Sequence, residues 1–174
     1  MKRHIIVEGC DNCGKSTLVG RISEELDYPI TFSCRSKPRD EQIAWMAKEL
    51  NDNGKVFDRF PLFSESVYGP ALRGQSKFDM IGKNGFYDIL ARIIIPKNPI
   101  VIFCDPGFDK VKETIKSRDQ YPGVVDKIDE IYTGFSLLQF LITTNTGLQC
   151  LLHDYTVEGS TESIINILKH NINK

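Results

Sequence analysis

Apolar and polar positions alternate along this chain in two different periods. Short, nearly unbroken apolar runs recur at Ile5–Glu8, Pro29–Cys34, Lys55–Asp58, Pro99–Asp105 and Leu148–Leu152. Their length and β-branched content predict buried strands. Between them lie stretches with helical spacing. Leu18, Ile22 and Leu26 share a face of a helix over 15–26, and Tyr28-Pro29 breaks it. Ile43, Met46, Ala47 and Leu50 form a stripe over 39–50, which Asn53-Gly54 closes. Helices are also predicted over 108–118, over 124–142 (Ile128, Ile131, Phe135 and Leu138 on one face) and over 160–170, with Ile164, Ile165 and Leu168 inward. From Phe60 to Ile95 the pattern is helical but interrupted by Pro61, Pro70, Gly74, Gly82 and Gly85. Strands alternating with helices predict an α/β fold on a parallel sheet.

Composition narrows this picture. The 174 residues fit one domain, with 41% hydrophobic and 26% charged residues, the balance of a soluble globular protein. No run approaches the ~18 apolar residues of a membrane span. The N-terminus reads as a first strand rather than a secretory signal, so a cytoplasmic location without membrane contact is expected. Five cysteines without framework-like spacing argue against a disulfide scaffold. A net charge of −1 argues against a general nucleic-acid coat protein, though a local basic cluster could still hold nucleic acid.

The sharpest chemical signal is Gly9-Cys10-Asp11-Asn12-Cys13-Gly14-Lys15-Ser16, followed by Thr17. The spacing Gly-x4-Gly-Lys-Ser, after a strand and before a helix, is that of a loop whose amides cradle phosphates. Gly9 and Gly14 let the backbone curl, and the helix starting near Lys15 turns its positive end to the same point. Lys15 would reach the β- and γ-phosphates of ATP, and the Ser16 hydroxyl would ligate Mg²⁺. No guanine-reading Asn-Lys-x-Asp stretch occurs, which argues against a GTPase. Cys10 and Cys13 form a Cys-x-x-Cys pair inside the loop, readable either as a redox or zinc pair or as ordinary variable positions of a phosphate loop.

A second cluster, Val56-Phe57-Asp58-Arg59-Phe60, ends a predicted strand. Ligands of open parallel sheets bind beyond the carboxyl ends of the strands. Asp58 could therefore hold Mg²⁺ through water, and Arg59 could fork onto an acceptor phosphate. His4, His153 and His170 lack metal-ligand spacing and read as structural or surface groups. Asp105 could steer Mg²⁺ or cap the following helix.

Glu8-Gly9-Cys10-Asp11-Asn12-Cys13-Gly14-Lys15-Ser16-Thr17 resembles the first motif of the thymidylate kinases, and Asp58-Arg59-Phe60 resembles their Asp-Arg-Tyr motif. Ser64, Ser66 and Tyr68 are similar to the serine and tyrosine that follow it. The stretch from Asp58 to Pro70 also resembles thymidylate-kinase-like proteins of bacteriophages. The resemblance implies five parallel strands in the order 2-3-1-4-5 with helices on both faces, a homodimer, ATP and Mg²⁺. It implies catalytic roles for Lys15, Asp58, Arg59, Asp11 and the lid residue Arg118. For the acceptor it points to Asp11, Arg35, Arg59 and Arg73 for phosphate and sugar, and to Phe60, Phe63 and Tyr68 for the base. The chain departs from that family at Arg35-Ser36-Lys37-Pro38-Arg39, which stands where an Arg-Glu-Pro-Gly motif would be, and in its short lid.

Three readings of function follow. One is transfer of the γ-phosphoryl of ATP to a thymine-type deoxynucleotide. A second keeps the chemistry but phosphorylates the hydroxymethyl group of a modified uracil in DNA, in host cytoplasm if the protein is a phage's, with Arg35, Lys37, Arg39, Arg73 and Lys77 as backbone contacts. In that case Asp11, Asp58 or Glu65 would serve as base. A third is a nucleotide-binding module without turnover.

Overall fold

The computed structural model describes residues 2–34, 36–115 and 123–172. Five strands form one parallel sheet: β1 (Ile5–Glu8), β2 (Ile30–Phe32), β3 (Val56–Asp58), β4 (Ile100–Cys104) and β5 (Cys150–His153). Their order is β2-β3-β1-β4-β5, as expected. Parallel neighbours need crossover connections, and helices supply them. These are α1 (Lys15–Leu26), α2 (Arg39–Glu49), α3 (Pro61–Arg73), α4 (Phe86–Ile89), α5 (Phe108–Ile115), α6 (Ile128–Asn145) and α7 (Ser160–Asn171).

Burial follows strand position. Every residue of β1 and β4 is buried, which matches their unbroken apolar runs. The edge strand β2 keeps Phe32 exposed. The inward faces of α1 (Leu18, Ile22, Leu26), α2 (Met46, with Leu50 just beyond it) and α7 (Ile164, Ile165, Leu168) are buried. Register aligns the carboxyl ends of the central strands: Val7 pairs with Asp58 across β1 and β3, and Glu8 with Phe103 across β1 and β4. The loops after β1 and β3 therefore open side by side.

Several predicted boundaries move. Pro70 does not end α3, which runs on until Gly74 adopts a left-handed conformation (φ 74°). The helix expected over 124–142 starts at Ile128, because the Lys127 amide bonds back to the Gly123 and Val124 carbonyls in a turn. The last strand is shifted toward His153, since Gly147 (φ 69°) turns the chain and the Leu148 amide donates to the Thr146 hydroxyl. Between α4 and β4 the chain continues in a π turn (Leu90–Ile94) and a 3₁₀ turn (Ile95–Lys97), an irregularity the glycine-broken pattern could not resolve. No helix among the described residues is long and apolar enough to cross a membrane.

Candidate active site

The loop between β1 and α1 is fixed by backbone geometry that its sequence demands. Gly9 has φ 139°, and a Cβ there would lie 2.5 Å from the Cys104 carbonyl oxygen and 2.8 Å from Cys13 Sγ. Gly14 precedes α1 at φ 89°, and a Cβ there would meet the Tyr155 ring at 2.8 Å. Only glycine takes both the conformation and the crowding without strain. The amides of the first turn of α1 lack intrahelical carbonyl partners and, with the helix dipole, favour an anion at this end.

The Lys15 side chain is buried within the loop, where its ammonium donates to the Cys10 carbonyl and to Cys13 Sγ at 3.6 Å. Cys13 Sγ lies 3.0 Å from the Cys10 carbonyl oxygen. Burial opposes ionisation of Cys13, but the neighbouring Cys104 thiol and the Lys15 charge prevail and pull it down to about 6. Burial pushes Cys10 up to about 12. Both thiols thus sit behind the loop, away from its open face.

A cavity of about 540 Å³ lies over that face. Asp11, Asn12, Gly14, Lys15, Ser16 and Thr17 wall one side, and Asp58 and Arg59 another. The Ser16 hydroxyl donates to Asp58 Oδ2 at 3.0 Å. A hydroxyl and a carboxylate in contact beside a phosphate loop form an all-oxygen donor pair of the kind that Mg²⁺ takes, so the residues present fit that ion.

Two non-glycine residues of the site take the left-handed conformation, Asn12 at φ 60° and Arg59 at φ 70°. A left-handed conformation costs a non-glycine residue ~1–2 kcal/mol. Three bonds hold Arg59 there: its amide donates to the Val7 carbonyl (3.1 Å), Nη1 to the Gly9 carbonyl (3.2 Å) and Nη2 to Asp11 Oδ1 (2.5 Å). The Tyr68 ring lies under the guanidinium at 4.9 Å, and the Tyr68 hydroxyl donates to Asp11 Oδ2 at 2.9 Å. Burial disfavours the Arg59 charge, but the carboxylates of Asp11 and Glu8 outweigh it and raise the guanidinium pKa. Tyr68 is pushed well up by burial, so its hydroxyl stays protonated as a donor. A fixed cation is thus presented at the cavity wall with one face already occupied by Asp11.

Glu8 stands beneath this arrangement, fully buried. Its carboxylate accepts the Phe60 amide at 2.5 Å and the Ser64 hydroxyl at 3.0 Å. Burial raises it to about 7, against the pull of Arg59, the Phe60 amide and Lys15. Glu8 therefore ties the end of β1 to the start of α3 and fixes the turn that carries Arg59. In the sequence it stood only as part of the loop motif.

Other expected residues fall elsewhere. Phe60 and Phe63 do not reach the cavity as base-holding rings. Both are fully buried in an aromatic chain, with ring centroids 5.3 Å apart for Phe57–Phe60, 5.9 Å for Phe60–Phe63 and 6.4 Å for Phe63–Phe86. Phe60 ends the extended segment before α3, and Phe63 lies in the first turn of that helix, which is buried at every position from Pro61 to Glu65. Trp45 packs on the same chain. Arg73 is ion-paired with Glu65, which also accepts the Lys77 amide at 2.9 Å. Lys37 pairs with Glu41, and Arg39 donates to the Asn84 carbonyl at 2.7 Å. Ser66 donates to the Phe63 carbonyl, 2.8 Å away. Asp105 accepts the Gly107 amide and the Tyr132 hydroxyl at 3.0 and 2.8 Å, and so holds the turn before α5. Arg35 and Arg118 lie outside the described residues.

His153 at the end of β5, Tyr155 in the loop after it and Thr161 in the first turn of α7 also line the cavity. His153 is buried, and burial lowers its pKa; its Nε2 lies 3.0 Å from the Thr161 hydroxyl. Isolated aromatic or imidazole groups at a last strand's end give no sequence signal, so only the fold brings them in. His4 is also buried, against the Leu50 carbonyl at 3.1 Å, and is structural.

A five-stranded parallel sheet with a glycine-rich phosphate loop after its first strand defines the fold of the P-loop kinases, and the chain has that fold. Its sequence is 26% identical over 165 residues to the SPbeta prophage-derived uncharacterized protein YorR of Bacillus subtilis, covering 92% of this chain and 93% of YorR. No family model matches the chain. Among solved structures, YorR in complex with phosphorylated GDP superposes with a TM-score of 0.73 at 21% identity, over 97% of this chain and 95% of that one. Deoxyadenosine kinase from M. mycoides with bound dCTP gives 0.63 at 18% identity, over 96% and 99%. A gluconokinase from Sinorhizobium meliloti gives 0.55 at 15% identity, over 99% and 94%.

Proposed function

We propose that this chain is an ATP-dependent phosphotransferase that passes the γ-phosphoryl group to a deoxynucleotide acceptor of the thymine type. The observation that carries the reading is the convergence on one cavity of Lys15, Ser16 and Asp58 with Asp11 and Arg59, the last two held in place by Tyr68 behind them. A phosphate loop alone suits any nucleotide binder. A second, rigidly held cation facing it suits a second substrate.

In this reading the loop amides and Lys15 bind the donor phosphates. Ser16 and Asp58 would hold Mg²⁺, and when bound it would supply neutralising charge for the donor phosphates. Phosphoryl transfer asks little covalent work of a protein, so orientation and charge placement carry the rate. Arg59 orients the acceptor phosphate from its fixed turn. Asp11 accepts from Arg59 and Tyr68 and lies at the sugar's approach. Kinases among the structural neighbours, one of them named for deoxyadenosine, support a nucleoside-bearing acceptor.

The test offers ATP labelled at the γ-position with each of three acceptor classes: deoxynucleoside monophosphates, deoxynucleosides, and DNA containing hydroxymethyl-uracil. Label in a thymine-type monophosphate is the expected outcome. Label only in a nucleoside, or only in the DNA, replaces the acceptor and keeps the donor half. ATP binding without transfer to any acceptor leaves a nucleotide-binding module and rejects the reading.

A further inference from the structure

The cavity extends past the phosphate loop to a wall that the proposed reaction leaves unassigned. Sheet order sets its direction: β3 lies on one side of β1, and β4 and then β5 lie on the other. The end of β3 carries Asp58 and Arg59, so phosphates seated on the loop after β1 leave their nucleoside the β5 side. Two strand spacings of ~4.8 Å separate β1 from β5, room for a sugar and a base. Asn12, Gly14, Thr114, His153, Tyr155 and Thr161 wall that end.

Tyr155 puts a phenol ring in this wall, fixed from two sides. A Cβ on Gly14 would lie 2.8 Å from the ring, so the ring rests directly on the loop. The chain around it is a closed turn. Asp154 Oδ1 accepts the Thr156 amide at 2.8 Å and the Thr156 hydroxyl at 2.6 Å, and the Val157 amide donates to the Asp154 carbonyl at 3.2 Å. The Tyr155 residue remains 37% exposed. A ring already held in place offers a base a stacking surface at little cost in ordering.

The polar side chains of the same wall are engaged with the protein. The Asn12 amide donates to the Thr114 carbonyl at 3.5 Å, and the Thr114 hydroxyl donates to the Lys110 carbonyl at 2.9 Å. His153 is buried, with Nε2 3.0 Å from the Thr161 hydroxyl and Nδ1 3.7 Å from Cys104 Sγ. Adenine carries an amine donor where guanine carries a carbonyl acceptor, so a side chain that bonds one is mispaired with the other. Reading that difference takes a polar group aimed at the base edge. Among the described residues this wall presents a ring instead. We propose that the donor base is held by stacking on Tyr155 and is not read at its edge by side chains, so that GTP serves as donor as well as ATP. Stacking uses the π face, which both purines share. The inference rests on the proposed role of the loop in holding donor phosphates.

Calorimetry with Mg²⁺ tests this on the β,γ-imido analogues of ATP and GTP, which cannot transfer, and on tripolyphosphate, which has no base. The two analogues should bind the parent within about tenfold of each other. Tyr155→Ala should weaken both by at least about fivefold, the low end of the worth of one base–aromatic stack. Tripolyphosphate should bind that variant as it binds the parent, which separates a lost stack from a distorted loop. Tyr155→Phe keeps the ring and should bind both analogues like the parent. A larger preference for one purine, a smaller loss in Tyr155→Ala, a parallel loss of tripolyphosphate, or a loss in Tyr155→Phe overturns the proposal. If the ATP analogue binds and the GTP analogue does not, this inference falls and the donor reading stands. If neither binds the parent, the donor reading falls and takes the inference with it.

Discussion

The donor and acceptor sides of the cavity are built differently. The phosphate loop is local: residues 9–16 and the start of α1 contain its glycines, its lysine and its hydroxyl. The acceptor side is assembled across the fold. Asp11 comes from that loop, Arg59 from the end of β3, Tyr68 from the second turn of α3, and Glu8 from the end of β1. Its order rests on hydrogen bonds spanning 48 to 57 positions. A local site survives if its backbone curls correctly. A distributed one depends on every element that holds it, and here one buried carboxylate, Glu8, joins them.

Four changes probe that difference, from the largest expected effect to the smallest. Lys15→Met removes the charge aimed at the donor. It should lower kcat by about 100- to 1,000-fold, as loss of one fixed electrostatic donor does, with the thermal midpoint little changed. A comparable fall from a change confined to the acceptor side would erase the contrast.

Glu8→Gln tests the link between the halves through pH. The folded state holds the Glu8 proton up to about pH 7, while an ordinary glutamate releases it near 4.5. Between those values the folded protein binds more protons than the unfolded one, so its stability falls as pH rises and levels off above about 7. The slope is at most about 1.4 kcal/mol per pH unit. The glutamine variant lacks this slope. Urea unfolding of both proteins from pH 5 to 8 should therefore show the variant gaining on the parent as pH rises, and parallel curves would refute the role of Glu8.

Arg59→Lys keeps the charge but loses the fork. The KM for acceptor should rise about tenfold, the value of one charge-assisted hydrogen bond, with the KM for ATP unmoved. An equal rise in both would place Arg59 on the donor. Tyr68→Phe removes only the hydroxyl bond to Asp11, worth about 1 kcal/mol, so acceptor KM should rise by a few-fold. Steady-state kinetics at saturating ATP measures both variants.

The same contrast explains what the sequence disclosed. The strands, most of the helices and the donor loop were legible because they follow from short-range patterns, namely apolar runs, helical stripes and glycines at fixed spacing, whereas the strand order came only with the family resemblance of the motifs at Gly9–Thr17 and Asp58–Phe60. Arg59 was legible because it directly follows a strand end. The role of Glu8 was not, since a buried carboxylate at a strand end looks like any other acid until Phe60 and Ser64 are seen bound to it. Phe60 and Phe63 were misplaced for the opposite reason: proximity in sequence to Arg59 suggested a shared site, while the turn into α3 directs them to the core. Tyr155 and His153 reach the cavity only through the packing of β5 against β4.

A bisubstrate compound tests the central claim most directly, because it asks whether both halves serve one reaction. Adenosine joined through a chain of phosphates to deoxythymidine, titrated calorimetrically with Mg²⁺, should bind more tightly than ATP alone. Lys15→Met and Arg59→Lys should each weaken it. Binding no tighter than ATP, or loss of affinity in the Lys15 variant only, would mean that the Arg59 side receives no second substrate and would contradict the account.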